Sequence, residues 1–394
     1  MNQSIVVTSP PSETGDSRLA IGRRLLDGVL APLKSSFVGK DVIIDLMGIC
    51  LVAGENLFIL GPPGTAKSAL VHELGRRLQI NTFEYLLTRF TEPNELFGPF
   101  DIRRLREGDL VTNTEGMLPE ANLVFLDELL NANSAILNSL LTVLNERKLR
   151  RGREIMELPL LMGVGASNHL PEEEALQALF DRFILRVVSD NVDSEHLGAV
   201  LEAGWKLDAA QKNMPERAVS LEEIIDLRSL VTEVSLEPVI SVYIDLVKRL
   251  RSVGVEISDR RAVKLQRLIA ASALLCGRMQ AQVSDLWIMQ HIWDLDEQRE
   301  LLSSAVTETM EAAAEEGERS ERHPQAAAND EPDAEQISSD LDQIGEELDR
   351  DEPHVSSIRD RLALLEGRSQ FVKNDEQRSA IAEKIVYLWS QIKP

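Results

Sequence analysis

Near residue 60 an apolar run gives way to Gly61-Pro62-Pro63-Gly64-Thr65-Ala66-Lys67-Ser68, followed by Ala69 and an amphipathic stretch. The spacing fits the phosphate-binding loop G-x-x-x-x-G-K-[ST], with Ala66 standing where the last glycine usually is. The residue types fix the chemistry such a loop can do. Backbone N–H groups of Gly64 to Ser68 would cradle a β-phosphate at a helix N-terminus, the Lys67 ammonium would neutralise β- and γ-oxygens, and the Ser68 hydroxyl would ligate Mg²⁺. Alanine at 66 is expected to be tolerated because a residue entering a helix should have φ below zero.

Sixty residues on, "NLVFLDE" is an apolar run ended by Asp127 and Glu128. A strand ending this way beside a phosphate loop offers one carboxylate to the outer shell of Mg²⁺, Asp127, and one to polarise an attacking water, Glu128. A third run, "LLMGVGASN", ends in Asn168, a residue type able to orient that water beside a γ-phosphate.

These tips need a scaffold that brings strand ends together. "NLFIL", "TFEYLL", "NLVFLDE" and "LLMGVGASN" alternate with helical patterns between about 17 and 190, which predicts an α/β domain with a parallel sheet covered by helices. Residues 1–16 are polar and read as a loose tail. From 191 to 296 apolar residues recur only at spacings of three and four, predicting a second, all-helical domain. A C-terminal helical bundle is expected over 297–394, with an acidic linker at about 319–333.

Composition limits the functional classes. The net charge of -23 over 394 residues opposes general nucleic-acid binding, and seventeen acidic residues against three arginines between Glu308 and Glu352 concentrate it near the C-terminus. Cys50 and Cys276 are the only cysteines, both in apolar settings, so neither a disulfide framework nor a cysteine metal site is expected. No run of eighteen apolar residues could span a bilayer, and a cytoplasmic protein is the expectation.

The order and spacing of "FVGK", "GPPGTAKS", "LFGPF", "NLVFLDELLNANSAILNSLLTVLNER", "GASN" and "LFDRF" resemble the AAA+ ATPases, and within them the MoxR family, most closely its RavA branch, over about residues 17–300. The resemblance makes the all-helical domain over 191–296 a lid domain and implies ATP hydrolysis with Mg²⁺ between the α/β domain and that lid. It places Asn168 at the sensor-1 position and Arg182 where a finger arginine reaches a neighbouring subunit's ATP, with Arg186 as second choice. It puts Arg260 or Arg261 at the sensor-2 position, Arg260 being preferred, and Val38 and Gly39 in the loop that packs on adenine. It further implies a homo-oligomer, most simply a hexameric ring, acting as a chaperone-like remodeller of a protein client, commonly with a von Willebrand factor A domain partner.

Two rival functions have their own sequence features. A nucleic-acid translocase would use the basic residues Arg147, Lys148, Arg150, Arg151 and Arg153 of a hairpin before Asn168, though the net charge opposes it. A nucleotide-gated scaffold would hydrolyse ATP hardly at all, against which Glu128 and Asn168 speak. A second hairpin is expected within "IRRLREGDLVTNTEGMLPEA". At the C-terminal end, one continuous helix is predicted from "DLWIMQHIW" to "EAAAEE", followed by seams on Ile337, Leu341, Ile344 and Leu348, on Val355, Ile358, Leu362 and Leu365, and on Ile381, Ile385, Leu388 and Ile392. The polar stretch between the first helix and the second is too short for the small β domain that RavA-like proteins carry there, so no such domain is expected.

Overall fold

The computed structural model describes residues 13–101, 106, 111–151, 154–171, 174–210, 215–313, 323, 325–326, 338, 341–342, 344–345, 348, 362 and 375–391. The chain forms two compact units, one running to His323 and one from Pro324. The helix 298–313 lies in the first unit, so the boundary falls well after the expected residue 297.

The first unit opens with α1 (Glu13–Leu25), a π-helical turn at Leu26–Leu30, α2 (Ala31–Ser36) and α3 (Asp41–Ala53). Then come β1 (Leu57–Leu60), α4 (Lys67–Leu78), β2 (Thr82–Leu86), α5 (Pro93–Phe97), β3 (Leu123–Asp127) and α6 (Ser134–Glu146). A hairpin of β4 (Lys148–Arg151) and β5 (Glu154–Glu157) leads to β6 (Met162–Ser167), α7 (Glu174–Phe180) and β7 (Leu185–Val188). The helical part comprises α8 (Leu197–Ala210), α9 (Leu221–Ser229), α10 (Ile240–Ser252), α11 (Asp259–Leu275), a 3-10 segment at Val283–His291 and α12 (Gln298–Ala313).

Five strands pair in parallel in the order β2-β3-β6-β1-β7. The three central strands are apolar runs because helices cover both faces and leave almost no residue of these strands in water. Consecutive parallel strands with this order put every loop that follows a strand at the same edge, where ligands of open α/β sheets bind.

β7 departs from the apolar pattern through Arg186, which is 0% exposed. Its guanidinium donates to the Trp293 carbonyl at 2.7 Å and pairs with Asp294 at 2.5 Å, and it lies 4.1 Å over the Phe180 ring. Burial, reinforced by the like charge of Arg261, pulls it down to about 9. Arg186 is therefore a tie between the sheet and the helical part, not the exposed finger that was its second-choice role.

The same contacts explain why the predicted continuous helix after 285 is broken. Arg186 and Arg261 claim the Asp294 carboxylate and the carbonyls of Ile292 and Trp293, and the Gln298 side chain accepts from Asp294 N–H at 2.8 Å, so α12 starts afresh there. α12 packs on α10 and the 3-10 segment inside the first unit.

In the second unit, α13 (Asp375–Gln391) contributes Ile381, Ile385 and Leu388 to an apolar cluster with Leu341, Ile344 and Leu362, against which Leu348 and Trp389 pack. Ile337, Val355, Ile358, Leu365 and Ile392 lie outside the described residues, as do most of the expected linker and residues 102–105 and 107–110 of the hairpin within 102–121. The described ends of that hairpin pair antiparallel at Phe100 and Thr112. Among the described residues no helix is long and apolar enough to cross a membrane.

Candidate nucleotide site and a second, arginine-lined face

Three strand ends meet at the carboxyl edge of the sheet. Gly61 donates its N–H to the Ser167 carbonyl at 2.9 Å, which sets the start of the glycine-rich loop against β6 and beside Asn168, itself exposed. A Cβ on Gly61 would come within 2.2 Å of the Ser189 carbonyl oxygen, so only glycine lets the loop leave β1 here. On the other side of β6, Leu126 pairs with Gly165, and continuing that register brings Asp127 and Glu128 level with Ala166 and Ser167.

The loop turns through Gly64 at φ +85° and Ala66 at φ 63°, and Lys67 and Ser68 then open α4. The expectation of a negative φ at 66 is corrected. A loop that aims successive N–H groups at one anion must place a residue in the left-handed region, which is why glycine usually stands there and why Ala66 carries about 1 kcal/mol of strain. Among the described residues, no backbone carbonyl accepts from the N–H groups of Gly64 or Ala66. Pro62 and Pro63 have no N–H at all and stiffen the entry. The Thr65 side chain closes the turn by donating to the Pro62 carbonyl at 3.1 Å.

Lys67 is nearly buried, and its ammonium donates to the Gly61 and Pro62 carbonyls at 2.8 Å each. Ser68 and Ala69 border a recess of about 190 Å³ with His72, Glu73, Glu84 and Leu207 of α8. Glu128 also has a positive φ of 50°, and its N–H donates to Asp127 Oδ1 at 3.0 Å, with the Asn131 amide 3.5 Å from its own carboxylate. Strain at a carboxylate on a strand tip fits a group held for chemistry.

This donor set fits a nucleoside triphosphate: loop N–H groups without a backbone acceptor, one cation and one hydroxyl at the start of α4, and two carboxylates at the end of β3, two strands away in the sheet. Among the described residues, no group of three or more His, Cys, Asp or Glu side chains is placed to hold a metal alone. Mg²⁺ binds through few protein oxygens and the substrate's phosphates, so Ser68 and Asp127 suffice.

Val38 is half-buried, and a Cβ added to Gly39, at φ +73°, would come 3.2 Å from Val192, so the "FVGK" turn lies near the end of β7. Sequence reasoning passed over the last residue of that motif. The buried Lys40 donates to Ser189 Oγ at 3.1 Å and to the Asp190 carbonyl at 2.5 Å, and Ser189 Oγ donates to the Thr65 carbonyl at 3.3 Å. Burial pulls the Lys40 ammonium below the usual lysine range; Asp190 opposes this, while the nearby Lys67 charge adds to it. A lysine directly after a Gly turn was the available signal.

Arg182 and Arg260 lie elsewhere. Asn56, the residue before β1, donates to the Arg182 and Leu144 carbonyls at 3.2 Å each and accepts from Gly163 N–H at 3.1 Å. This unforeseen hub fixes Arg182 to the amino edge of the sheet. Arg260 donates to Asn145 at 2.5 Å, at the far end of α6, and Lys264 one turn on pairs with Glu55 at 2.7 Å. Arg182, Arg260 and Lys264 line one cavity of about 420 Å³. Burial first, and then Arg260, holds the Arg182 guanidinium below its ordinary range, and its Nε is buried without a hydrogen-bond partner. A four-residue strand spans about 13 Å, so this cavity opens a strand length or more from Lys67 of the same chain. The structure does not bring Arg260 to its own phosphate loop, contrary to a site closed by one subunit's own lid. Arg261 is engaged with Asp294 at 2.9 Å and is not free for the role.

The basic hairpin is also less basic than its sequence. Arg147 is buried, donating to Asn56 Oδ1 at 2.9 Å and the Gly54 carbonyl at 3.1 Å, and burial pulls it down to about 10. Lys148 pairs with Glu157 at 3.1 Å and Arg150 with Glu146 at 3.5 Å. The Arg151 side chain and Arg153 lie outside the described residues.

Comparison with known proteins gives a consistent picture. Residues 23–229 match the model of the MoxR domain in the MoxR-vWA-beta-propeller ternary systems, and residues 238–306 match an AAA lid domain. An uncharacterised protein of Methanocaldococcus jannaschii is 40% identical over 272 residues, 68% of this chain and 70% of that one. The chaperone MoxR1 of Mycobacterium tuberculosis is 26% identical over 183 residues, covering 45% and 47% of the two chains. A crystal structure from Cytophaga hutchinsonii, described as a candidate ATPase, aligns with a TM-score of 0.62 at 19% identity over 77% of this chain and 98% of its own, a likeness of fold.

Proposed function

Because the chain belongs to the MoxR family of AAA+ ATPases, we propose that it hydrolyses ATP at a site shared between two copies, in a hexameric ring that remodels a protein client. The observation that carries this reading is the separation of the two arginine side chains from their own phosphate loop: a cavity that lines up Arg182 and Arg260, away from that loop, serves a phosphate on another copy.

When bound, ATP with Mg²⁺ supplies the phosphoanhydride and the metal's counter-charge. The loop N–H groups and Lys67 hold the phosphates, Ser68 and Asp127 hold the metal side, and Asn168 and Glu128 position a water, with Glu128 accepting its proton. Arg182 and Arg260 of the adjoining copy offset charge that builds on the transferring phosphoryl group, the class of contribution a finger arginine makes. Lys40 keeps the loop in place through Ser189.

Relative motion of subunits then follows hydrolysis and does mechanical work on the client. The matched domain description, which names vWA and β-propeller companions, supports a von Willebrand factor A domain partner for this chain. The paired or buried basic residues of the β4–β5 hairpin weigh against a DNA track, and cytoplasmic residence goes with this role.

Shared sites make specific activity depend on concentration. Turnover per chain should rise with protein concentration until assembly saturates, and DNA should leave it unchanged. Activity per chain independent of concentration down to fully monomeric protein would refute the shared site.

A further inference from the structure

β7 is an outer strand of the sheet and pairs only with β1. In a parallel ladder alternate residues turn their backbone groups toward the neighbour. Ser189 N–H donates to the Leu60 carbonyl at 2.7 Å, so 187 and 189 face β1 while 186 and 188 face outward. The outward edge is closed on both sides of Val188: His291 hydrogen-bonds the Arg186 backbone, and the Lys40 ammonium donates to the Asp190 carbonyl. Among the described residues, no hydrogen bond reaches the N–H or the carbonyl of Val188 itself. This open pair lies in a groove of about 750 Å³ between β7, the start of α3, the 3-10 segment and α12.

Val42, Val187 and Trp293 give the groove an apolar side. Its charged groups are the carboxylates of Asp190, Asp296, Glu297 and Glu300 and one guanidinium, Arg299, which pairs with Asp296 at 2.9 Å and lies 6.0 Å from the Trp293 ring. His291 adds no charge near neutral pH, since burial pulls it down to about 4. Behind the groove Arg186 is matched by Asp294, and the Lys40 charge offsets Asp190. Glu297 and Glu300, both exposed, are left without a cation among the described residues. A bare strand edge is a template for another strand, and this one combines an apolar side with an excess of negative charge. We propose that it is a docking site for an extended basic segment of a partner protein, which adds a strand to β7 through Val188. Alternate side chains of that segment meet the apolar side, and its cations meet Glu297 and Glu300.

The probe is a short fluorescein-labelled peptide of alternating lysine and valine, titrated into the full-length chain. Its affinity should fall at least about tenfold in the double variant Glu297→Lys/Glu300→Lys, which should keep the parent's thermal midpoint and ATPase rate. A similar loss should follow, on the parent protein, when the peptide's backbone nitrogens are methylated, because the charge stays while the main-chain donors go. In hydrogen exchange of the parent, added peptide should slow the Val188 amide. Parent-like affinity in the double variant would place the peptide on other acidic surface, such as the stretch between Glu308 and Glu352, and overturn the site. Equal affinity for the methylated peptide, or an unchanged Val188 amide, would reduce the contact to charge attraction and overturn strand addition. No binding by the parent would also overturn the proposal and leave the carboxylates as guards against edge pairing.

Discussion

At residue scale the roles of Lys67 and Glu128 separate cleanly. Lys67→Ala removes the one ammonium in the loop and should abolish nucleotide binding in a fluorescent-analogue titration. Glu128→Gln keeps shape and hydrogen bonding while losing the proton acceptor, so binding should persist while hydrolysis falls by about 10² or more. Parent-rate turnover in Glu128→Gln would assign the water to another group. Ala66→Gly relieves a left-handed φ of 63°, and denaturant unfolding should show a gain of about 0.5–1 kcal/mol. Lys40→Met cuts the tie through Ser189 to the loop and should weaken nucleotide binding about tenfold, consistent with loss of charged hydrogen bonds inside the fold.

At the scale of elements, what was legible followed from how completely a segment is buried. β1, β3 and β6 are apolar because both their faces are covered, and the loop after β1 carries its chemistry in a spacing that survives without structure. β7 was illegible because Arg186 interrupts a four-residue run, and only its distant partner Asp294 makes an arginine tolerable there. The broken helix before α12 was illegible for the same reason, seen from Asp294. Ala66 misled because its backbone state is set by the anion nest rather than by the helix it precedes. The placement of Arg260 depends on where α11 docks, through Lys264 to Glu55 and Arg267 to the Ala53 carbonyl at 3.2 Å, which no local pattern encodes. Asp294→Asn should leave two guanidinium groups undercompensated and destabilise the first unit by about 3 kcal/mol in urea unfolding, with little change in nucleotide contacts.

At the scale of the whole molecule, every residue assigned to the nucleotide site or the arginine cavity belongs to the unit that ends at His323. The unit from Pro324 has its own apolar cluster, so a chain ending at 323 should fold, bind nucleotide and keep concentration-dependent ATPase, as activity and sedimentation would check. The direct measurement of a shared site is complementation. Arg182→Ala protein retains Lys67, Lys67→Ala protein retains Arg182, and each alone should be nearly inactive. In a random one-to-one mixture, up to about a quarter of the junctions join an intact loop to an intact finger. Steady-state ATPase of the mixture should therefore recover to a sizeable fraction of the parent rate; a mixture of verified mixed rings no more active than its components would contradict a site built from two copies.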